Sequence, residues 1–560
     1  MKELHLVPLA IKHRMIKEAL SHTRISFILL AVCLGLSASA HAGIHFTLMG
    51  SGSIPQAPEI NLIDALKTSS LPLKKPLTSL YQLRNYRLIW SDGKQYNNNA
   101  RQLFNSIKQA DEFGLNAFDY DTDLLQAFLE ATAVDPILLS KSDIVFSHAY
   151  VKLASHIGKG KLTDSQSIFK LDDPFLAILN EAANNNAIHS IINELQSKHS
   201  HYRNLVTALA NYRQLEERID YQQVTLKLSK RSYQLGDQSA EIPKLRKLLH
   251  TLGDYNHNDL SSESLDGSLM LAISQFQSRH GLDADGILGK QTVRALNIPI
   301  WKRIQQLELN LARAQALPDI TSGRHLLVNI PAYKLYLYDN QKLTYQSNIV
   351  VGKKKHKTPL ISSQLTKIIL SPYWNVPKSI TYNEIIPALQ RDPDYLAKNN
   401  MKLLSTDSHQ ARVIDPDSID WFDIDQANIN FRIRQEPGSR NSLGNIKFIF
   451  PNHHSVYLHD TPSRRLFALP KRAFSHGCIR LEDPFGLAET LVANDLGWSK
   501  YDLLDLSKQS KSKTVPLREA VPIHITYMTA WVDEQGIVNF RPDVYNRDTQ
   551  VLASLYNAKK

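Results

Sequence analysis

The residues most able to do chemistry in this sequence are Cys478 and His459. Cys478 directly follows Ser475, His476 and Gly477, and the glycine permits a tight turn with close approach of the backbone. A thiol on such a turn would be exposed beside backbone N–H groups that can receive an oxyanion. A histidine can take the thiol proton or favour the thiolate by its charge, so the pair predicts acyl transfer to the cysteine.

Arg480 adds a fixed positive charge two residues after the cysteine, and it could hold a substrate carboxylate. The alternative is structural, because a lone cysteine is usually a small buried apolar residue and a lone histidine on a strand usually supports the fold. Apolar alternation ends at His459, which places the imidazole at a strand end. The polar surroundings of Cys478 favour the functional interpretation.

A zinc site is a second chemical alternative. His453 and His454 lie shortly before His459 and Asp460, a set that suggests a zinc amidase or peptidase. No second ligand pair with convincing metal spacing follows, and zinc would leave the cysteine segment unexplained. We therefore expect neither a metal nor another cofactor.

The composition is that of a globular protein. The chain has 560 residues, of which 43% are hydrophobic and 21% are charged, which argues against a mostly disordered chain. The length predicts three or four domains at roughly 150 residues each. The net charge of +11 is spread along the chain, whereas a nucleic-acid binder usually concentrates its positive charge. We expect no nucleic-acid partner.

The N-terminal segment predicts export. An apolar run over 25–42 contains Cys33, follows a basic stretch and ends in Ala40-His41-Ala42, a small-x-small cleavage site. We expect residues 1–42 to be a signal peptide, with Met15 as an alternative start. The competing interpretation is an uncleaved membrane anchor, since the run is just long enough to span. After cleavage Cys478 would be the single cysteine, which requires that it be buried or used.

The periodicity of apolar residues changes along the chain and predicts a multidomain α+β protein. Helical spacing dominates the first part, three apolar stripes with a glycine-rich turn form a compact unit, and alternation typical of strands begins after Gly323. The expected units are a helical scaffold domain over 43–235, a three-helix domain over 236–300, a connector helix over 301–322, a β-rich domain over 323–515 and C-terminal strands over 516–560 that pack on it. A polar, partly helical insertion over 379–431 interrupts the β-rich domain, and long insertions of this kind are often functional lids.

The segment Ser475-His476-Gly477-Cys478-Ile479-Arg480, with His459 upstream, resembles the signature of the YkuD-type L,D-transpeptidases. Several further segments resemble the large YcbB-like branch of that family: Tyr373-Trp374-Asn375-Val376-Pro377, Arg434-Gln435-Glu436-Pro437-Gly438, and Asn441-Ser442-Leu443-Gly444 with Lys447-Phe448. Gly281 to Thr292 is similar to the end of a peptidoglycan-binding domain. The insertion falls where that branch carries a substrate-capping subdomain.

The resemblance implies a reaction on peptidoglycan. Cys478 would attack the carbonyl of the third residue of a stem tetrapeptide, D-alanine would leave, and the amine of a second stem would resolve the thioester into a 3→3 cross-link. His459 would be the proton donor and acceptor. Ser475 and His476 would shape the turn and orient His459, and the N–H groups of Gly477 and Cys478 would form the oxyanion hole.

The resemblance also implies the surroundings of that reaction. Arg480, Trp374 and Tyr457 would contact the substrate. The alternative for Arg480 is to buttress the turn, and for Trp374 a place in the core is favoured over one in the acceptor groove. No cofactor is needed, and family members are typically acylated by carbapenems. We expect a periplasmic or cell-envelope location and peptidoglycan stem peptides and glycan as partners, with other cell-wall synthesis enzymes as candidates. A membrane would be a partner only if residues 1–42 stayed as an anchor.

Several alternatives stay open at this point. The chain could be a non-catalytic peptidoglycan-binding envelope protein, or an L,D-carboxypeptidase that hydrolyses the same donor. Within the transpeptidase class, D-amino-acid exchange or attachment of a lipoprotein would use the same thioester. A cysteine hydrolase of another amide would release peptides without cross-linked products.

Overall fold

A computed structural model describes nine ranges of the chain: 58–71, 74–132, 135–161, 174–218, 225–318, 320–405, 411–425, 429–509 and 511–556. The predicted signal peptide over 1–42, with Cys33, lies outside these ranges. Within them, none of the helices combines the length and the apolar character needed to cross a membrane.

The N-terminal part of the described chain is helical. Its helices are α1 (Pro58–Thr68), α2 (Lys74–Leu83), α3 (Asn98–Lys108), α4 (Thr122–Glu130), α5 (Pro136–Lys159), α6 (Pro174–Asn184), α7 (Ile188–Glu194) and α8 (Ser200–Glu217). Helix α5 is the central element, and it is buried on most of its circumference. Its start is set by Asp135, whose side chain accepts a hydrogen bond from the Leu138 N–H, and by Pro136 in the first turn.

A buried carboxylate holds this helical domain together. Asp143 of α5 is 1% exposed and accepts hydrogen bonds from the N–H of Trp90 at 2.8 Å and of Ile89 at 3.0 Å. The Tyr81 hydroxyl donates to the same carboxylate at 2.6 Å. Burial raises the pKa of Asp143 to about 6. The side chain therefore ties the segment after α2 to the central helix.

The next unit has three helices and a small two-stranded sheet. Its elements are β1 (Ser232–Tyr233), α9 (Ile242–Thr251), α10 (Gly267–Arg279), β2 (Leu288–Gly289) and α11 (Lys290–Leu296). Strand β1 lies before residue 236, where the sequence analysis starts this unit, yet it pairs with β2 and Tyr233 is buried in the unit's core. The sequence around β1 is polar and only one of the two side chains of the strand is buried, so no apolar alternation indicates a strand there.

Helix α12 (Ile300–Gln315) follows and joins three parts of the chain. It packs against α8, and the shared core includes Tyr202, Leu209, Leu307 and Leu311. The same core takes in residues of the C-terminal strands. The connector is therefore a packed central helix.

The β-rich domain is built on one sheet of nine strands. The strands before the insertion are β3 (Arg324–Asn329), β4 (Lys334–Asp339), β5 (Lys342–Gly352) and β6 (Ile361–Leu370). Strand β5 is continuous, whereas alternation in the sequence suggests two strands, over 343–345 and 349–351. The reason is that β5 bends across the sheet, pairing with β4 along its first part and with a later strand near its end.

The insertion forms its own small body. Its elements are β7 (Trp374–Asn375), α13 (Lys378–Ile380), a π-helical turn (Thr381–Ile385), α14 (Ile386–Leu389), α15 (Tyr395–Lys398), β8 (Met401–Leu404) and β9 (Arg432–Gln435). The strands form a separate sheet in the order β7-β9-β8 around an apolar core that includes Leu389, Trp421 and Ile433. We refer to this body, residues 374–435, as the cap.

The remaining elements complete the domain. They are β10 (Ile446–Ile449), β11 (Leu458–His459), β12 (Ala473–Ser475), β13 (Ile479–Leu481), α16 (Pro484–Leu496), α17 (Lys500–Ser507), β14 (Lys513–Thr526), β15 (Ala530–Val532), β16 (Val538–Phe540) and α18 (Asp548–Tyr556). The sheet order is β12-β5-β13-β11-β10-β6-β14-β3-β4, and a further pairing of β4 with β5 closes eight of these strands into a barrel. The multidomain α+β architecture predicted from the sequence is confirmed.

Strand β14 crosses residue 516, where the sequence analysis begins the C-terminal segment. It pairs with both β3 and β6, so this part of the segment belongs to the barrel. Strands β15 and β16 form a hairpin that packs on α8 and α12, and α18 adds a helix against α12. The C-terminal segment is thus divided between the barrel and the central helix.

Candidate active site

A cavity of about 940 Å³ opens between the barrel and the cap. It is lined from the barrel by Tyr457, His459, Ser475, His476, Cys478 and Arg480, and from the cap by Trp374, Lys378, Glu384 and Arg432. Every predicted site residue except Gly477 therefore faces one space, and Gly477 is buried within the turn. The closed barrel makes this possible, since β11 and β13 run side by side and in parallel.

The register of these strands sets the positions of Cys478 and His459. Leu458 pairs with Ile479 and His459 pairs with Arg480, so the thiol-bearing Cys478 enters β13 beside Tyr457. The Ile479 N–H donates to the Tyr457 carbonyl at 3.1 Å. Cys478 and His459 thus sit on adjacent strands at the cavity wall.

His459 is buried, and its tautomer is set by a backbone contact. Its Nδ1 lies 2.5 Å from the Asp460 carbonyl oxygen, which can only accept, so Nδ1 carries the proton. Nε2 is then left with a lone pair. Burial, followed by the charge of Arg480, lowers the pKa of His459 to about 3. At neutral pH the residue is an uncharged base.

The Cys478 thiol is also uncharged at rest. Burial raises its pKa above the ordinary value, while hydrogen bonding with Tyr457 and the charges of Lys447 and Arg480 act in the opposite direction. The Sγ atom lies 3.9 Å from the Ser455 carbonyl oxygen. A neutral thiol and a neutral imidazole in one cavity fit general-base catalysis, in which the proton moves as the sulfur attacks.

This arrangement predicts how Cys478 responds to an alkylating reagent. Below the raised thiol pKa the thiolate fraction grows tenfold per pH unit, so alkylation by iodoacetamide should accelerate about tenfold per unit from roughly pH 6 to 9. The measurement is the mass of the peptide carrying Cys478 against time, with N-acetylcysteine as the reference thiol. A rate that is already constant below pH 7 would show a preformed thiolate–imidazolium pair instead.

Ser475 closes the turn that presents the thiol. Its hydroxyl donates to the Cys478 carbonyl at 2.5 Å and accepts from the Gly477 N–H at 3.1 Å. Gly477 has φ of 116°, a region that favours glycine. The Gly477 N–H, which we expect from the sequence to serve the oxyanion hole, is therefore engaged by Ser475, and the N–H of Cys478 remains as the candidate donor.

Three residues that sequence reasoning missed support the turn from behind. The Thr358 hydroxyl donates to the Gly477 carbonyl at 2.8 Å and accepts from the Gly352 N–H at 2.9 Å. The Tyr545 hydroxyl donates to the Gly352 carbonyl at 2.6 Å and accepts from the Thr358 N–H at 3.2 Å. No local signal marks these residues, because the closed barrel brings them together from distant parts of the chain.

Gly352 leaves no room for a side chain at this point, and replacing it should move the turn. A Cβ there would lie 2.0 Å from the His356 carbonyl oxygen and 3.1 Å from the Gly477 Cα. We expect Gly352→Ala to slow thioester formation on Cys478 about a hundredfold, since small misplacements of a reacting group are costly. Intact mass against time measures this rate.

The matched control for this substitution is Gly289→Ala, because a Cβ at Gly289 meets nothing within 4 Å and its φ is −96°. The control should react at the rate of the unchanged protein. Wild-type reactivity of Gly352→Ala would contradict the proposed role of the turn.

His476 occupies a place that differs from the sequence-based expectation. Its Nε2 lies 2.7 Å from Glu384 Oε1 of the cap and 3.2 Å from Lys353 Nζ, and its ring centroid lies 4.8 Å from that of His356 with the planes tilted by 41°. These contacts are with the cap and with the loop after β5, whereas the expectation from the sequence is that His476 orients His459. His459 is instead oriented by the backbone carbonyl oxygen of the next residue, Asp460, which accepts a hydrogen bond from its Nδ1–H.

The expected substrate-contacting residues surround the thiol. Arg480 lines the cavity, and its buried Nε has no hydrogen-bond partner among the described residues. The Tyr457 ring lies 4.9 Å from Lys447 Nζ and 5.7 Å from the His459 ring. Trp374 both lines the cavity and packs on the core of the cap, so each of its two expected roles has structural support.

Two residues of the zinc alternative, His459 and Asp460, are engaged by other groups. The Asp460 carboxylate accepts from the Asn445 N–H at 3.0 Å and from Arg464 at 3.2 Å. Across the described ranges, no three side chains among His, Cys, Asp and Glu come together as a metal-binding group.

Comparison with known families gives three matches. Residues 323–500 match the family described as "L,D-transpeptidase catalytic domain", residues 75–209 match "Scaffold domain", and residues 238–296 match "Putative peptidoglycan binding domain". These matches fall on the β-rich domain, the N-terminal helices and the three-helix unit.

Individual proteins agree with this assignment. The chain is 36% identical over 275 residues to a Haemophilus influenzae protein named "Putative L,D-transpeptidase", covering 48% of this chain and 54% of that protein. The chain thus spans about half the length of this curated relative. Two solved L,D-transpeptidase structures also match. The one from Xylanimonas cellulosilytica is 14% identical, with a TM-score of 0.18, and the match covers 54% of this chain and 100% of that one. The one from Stackebrandtia nassauensis is 12% identical, with a TM-score of 0.21, and the match covers 54% of this chain and 97% of that one. Their TM-scores are too low to carry an argument.

Proposed function

Residues 323–500 belong to the L,D-transpeptidase catalytic-domain family, and from this premise we propose that the protein forms 3→3 cross-links in peptidoglycan. The observation that carries the proposal is the pair Cys478 and His459 in one cavity, with Nδ1 of His459 held by the Asp460 carbonyl oxygen. A thiol and a neutral base in one cavity are the minimum for acyl transfer through a thioester.

The charge of the cavity supports a peptide substrate that carries carboxylates. Lys378, Arg432 and Arg480 line it, against the single carboxylate of Glu384 among its described lining residues. Arg480 stands beside the nucleophile, and a substrate carboxylate would satisfy its buried Nε. Peptidoglycan stem peptides supply such carboxylates.

In the proposed acylation, His459 Nε2 takes the thiol proton as Cys478 Sγ attacks the carbonyl of the third stem residue. The N–H of Cys478 receives the developing oxyanion. His459 then passes the proton to the amine of the departing D-alanine, and the carbon–nitrogen bond breaks to leave a thioester. His459 returns to its neutral form in the same step.

In the proposed second half, the uncharged side-chain amine of another stem attacks the thioester carbonyl. His459 takes one proton from the attacking nitrogen and delivers it to the departing sulfur, which restores the thiol. The products are a cross-linked dimer and free enzyme. Water in place of the amine would give a tripeptide, which is the carboxypeptidase outcome.

Incubation of the purified protein with a disaccharide-tetrapeptide tests the function, with products read by mass spectrometry. A dimer that lacks one D-alanine is the expected product. Tripeptide alone would establish the L,D-carboxypeptidase alternative. Absence of both turnover and a thiol adduct would favour the non-catalytic peptidoglycan-binding protein.

We also propose that the protein works in the cell envelope after export directed by residues 1–42. The support is the match of residues 238–296 to a peptidoglycan-binding family and the apolar N-terminal run with its small-residue cleavage site. The three-helix unit would hold the protein on glycan while the barrel reacts with stem peptides.

A further inference from the structure

We propose that Glu384 of the cap binds the protonated amine of the acceptor peptide and so selects amine over water in the second half of the reaction. This inference rests on the proposed function and names a positioning residue for it. The acceptor would be a peptide with a primary ammonium on a side chain. The observations concern where Glu384 lies, what charge surrounds it and which of its atoms are engaged.

Glu384 lies on the cap where it contacts the turn that carries the nucleophile. Its Oε1 is 2.7 Å from Nε2 of His476, two residues before Cys478 in the chain. The side chain of Glu384 is 51% exposed, so an incoming peptide can reach it. Both Glu384 and Cys478 line the same cavity.

The backbone that carries Glu384 is irregular. It belongs to the π-helical turn Thr381–Ile385, inserted between α13 and α14. Such turns are rare, and they occur frequently at functional sites because they re-aim a side chain out of the regular helical pattern. Here the turn aims a carboxylate of the cap at the cavity.

The charge around Glu384 makes it distinctive. It is the one carboxylate among the described residues that line the cavity, whereas Lys378, Arg432 and Arg480 supply positive charge there. These positive charges attract the carboxylates of the two stem peptides but repel an ammonium group. Glu384 therefore offers the ammonium group of the acceptor a favourable ionic contact in an otherwise positively charged cavity.

Glu384 keeps bonding capacity for a ligand. Its contact with His476 engages Oε1, and a carboxylate can accept several hydrogen bonds through its two oxygens. A charge-assisted bond from an ammonium to this carboxylate would hold the amine on the cap side, facing the turn that carries the thioester. The ammonium must release one proton to solvent before its nitrogen attacks.

The competing role for Glu384 is a structural link between the cap and the turn. The pair with His476 is partly exposed, and exposed ion pairs contribute little to stability. A link would hold the cap near the turn and affect donor and acceptor steps together. An amine-binding carboxylate would affect the acceptor step alone, so the two roles predict different kinetics.

The test is Glu384→Gln in the full protein, with disaccharide-tetrapeptide as the donor and an isotope-labelled disaccharide-tripeptide as the acceptor whose concentration is varied. We expect the ratio of labelled dimer to unlabelled tripeptide to fall about tenfold, which corresponds to roughly 1.4 kcal/mol. The acceptor concentration for half-maximal cross-linking should rise by a similar factor. Acyl-enzyme formation, measured by intact mass, should stay within about twofold, because donor contacts are unchanged.

The control is Asp392→Asn, which removes a carboxylate from the cap that pairs with Lys398 and lies outside the cavity lining. It should leave both the product ratio and the acceptor dependence unchanged. An unchanged ratio and unchanged acceptor dependence in Glu384→Gln would overturn the inference. Acylation and cross-linking that fall in proportion would also overturn it, in favour of the structural link.

Failure of the inference can be told from failure of the proposed function. If the unsubstituted protein forms no acyl-enzyme and no dimer, the transpeptidase proposal itself fails. If it forms both and Glu384→Gln behaves identically, only the acceptor role of Glu384 is lost.

Discussion

Cys478→Ser is expected to reduce acyl-enzyme formation by about ten-thousandfold or more, the scale seen when a nucleophile is removed from a catalytic unit. The physical reason lies in His459, whose pKa of about 3 makes it a weak base. Such a base can assist a thiol, but it cannot remove the proton of a serine hydroxyl, which is far less acidic. Intact mass after incubation with donor measures the loss.

The serine is close in size to cysteine, so the fold should be retained. A thermal unfolding midpoint within about 2 °C of that of the parent protein would establish this. In a protein of this size, a change well below 1 kcal/mol in the free energy of unfolding shifts the midpoint by no more than about 2 °C. Cys478→Ala provides a second variant without any hydroxyl. Turnover by either variant at more than a few per cent of the parental rate would remove Cys478 from the mechanism.

His459→Gln is expected to lower acyl-enzyme formation by about a hundredfold to ten-thousandfold, the contribution of a positioned general base. Glutamine has a similar shape but cannot take a proton at neutral pH. The variant should still react normally with iodoacetamide at pH 10, because hydroxide then generates the thiolate without help. Loss of acyl transfer with retained alkylation separates the base from the nucleophile.

His454→Gln is the matched control, because His454 also lines the cavity but lies on the turn before β11. It should keep most of the activity. If His459→Gln retained more than a tenth of the parental acylation rate, the thiol would be using another base. Equal loss in both variants would assign the effect to the cavity as a whole.

Much of the candidate site could be predicted from the sequence because its chemistry is local. Ser475, Gly477 and Cys478 lie within four positions of one another, and a tight turn with these residue types is encoded by the segment itself. Helical periodicity likewise predicted the three-helix unit, since each stripe repeats within one element. Strand β1 was missed because its two residues carry almost no pattern.

Other parts of the site depend on contacts that no segment encodes. Thr358 and Tyr545 reach the turn only after β5, β13 and β14 have joined one barrel. The pairing of His476 with Glu384 depends on how the cap folds over the turn. The engagement of the Gly477 N–H by the Ser475 hydroxyl likewise depends on how the turn folds.

The sequence by itself determined which groups are the candidates for reaction, the order of the units and the helical or extended character of each, because all of these follow from residue type and short-range spacing. Only the tertiary structure decided the protonation state of those groups. Closure of the barrel buries His459 and leaves Cys478 half-buried, and the loss of water raises the pKa of Cys478 and lowers that of His459, so that both are neutral at pH 7. The fold also places the carboxylate of Glu384 in the same cavity as the thiol, since desolvation and proximity arise only when distant segments meet.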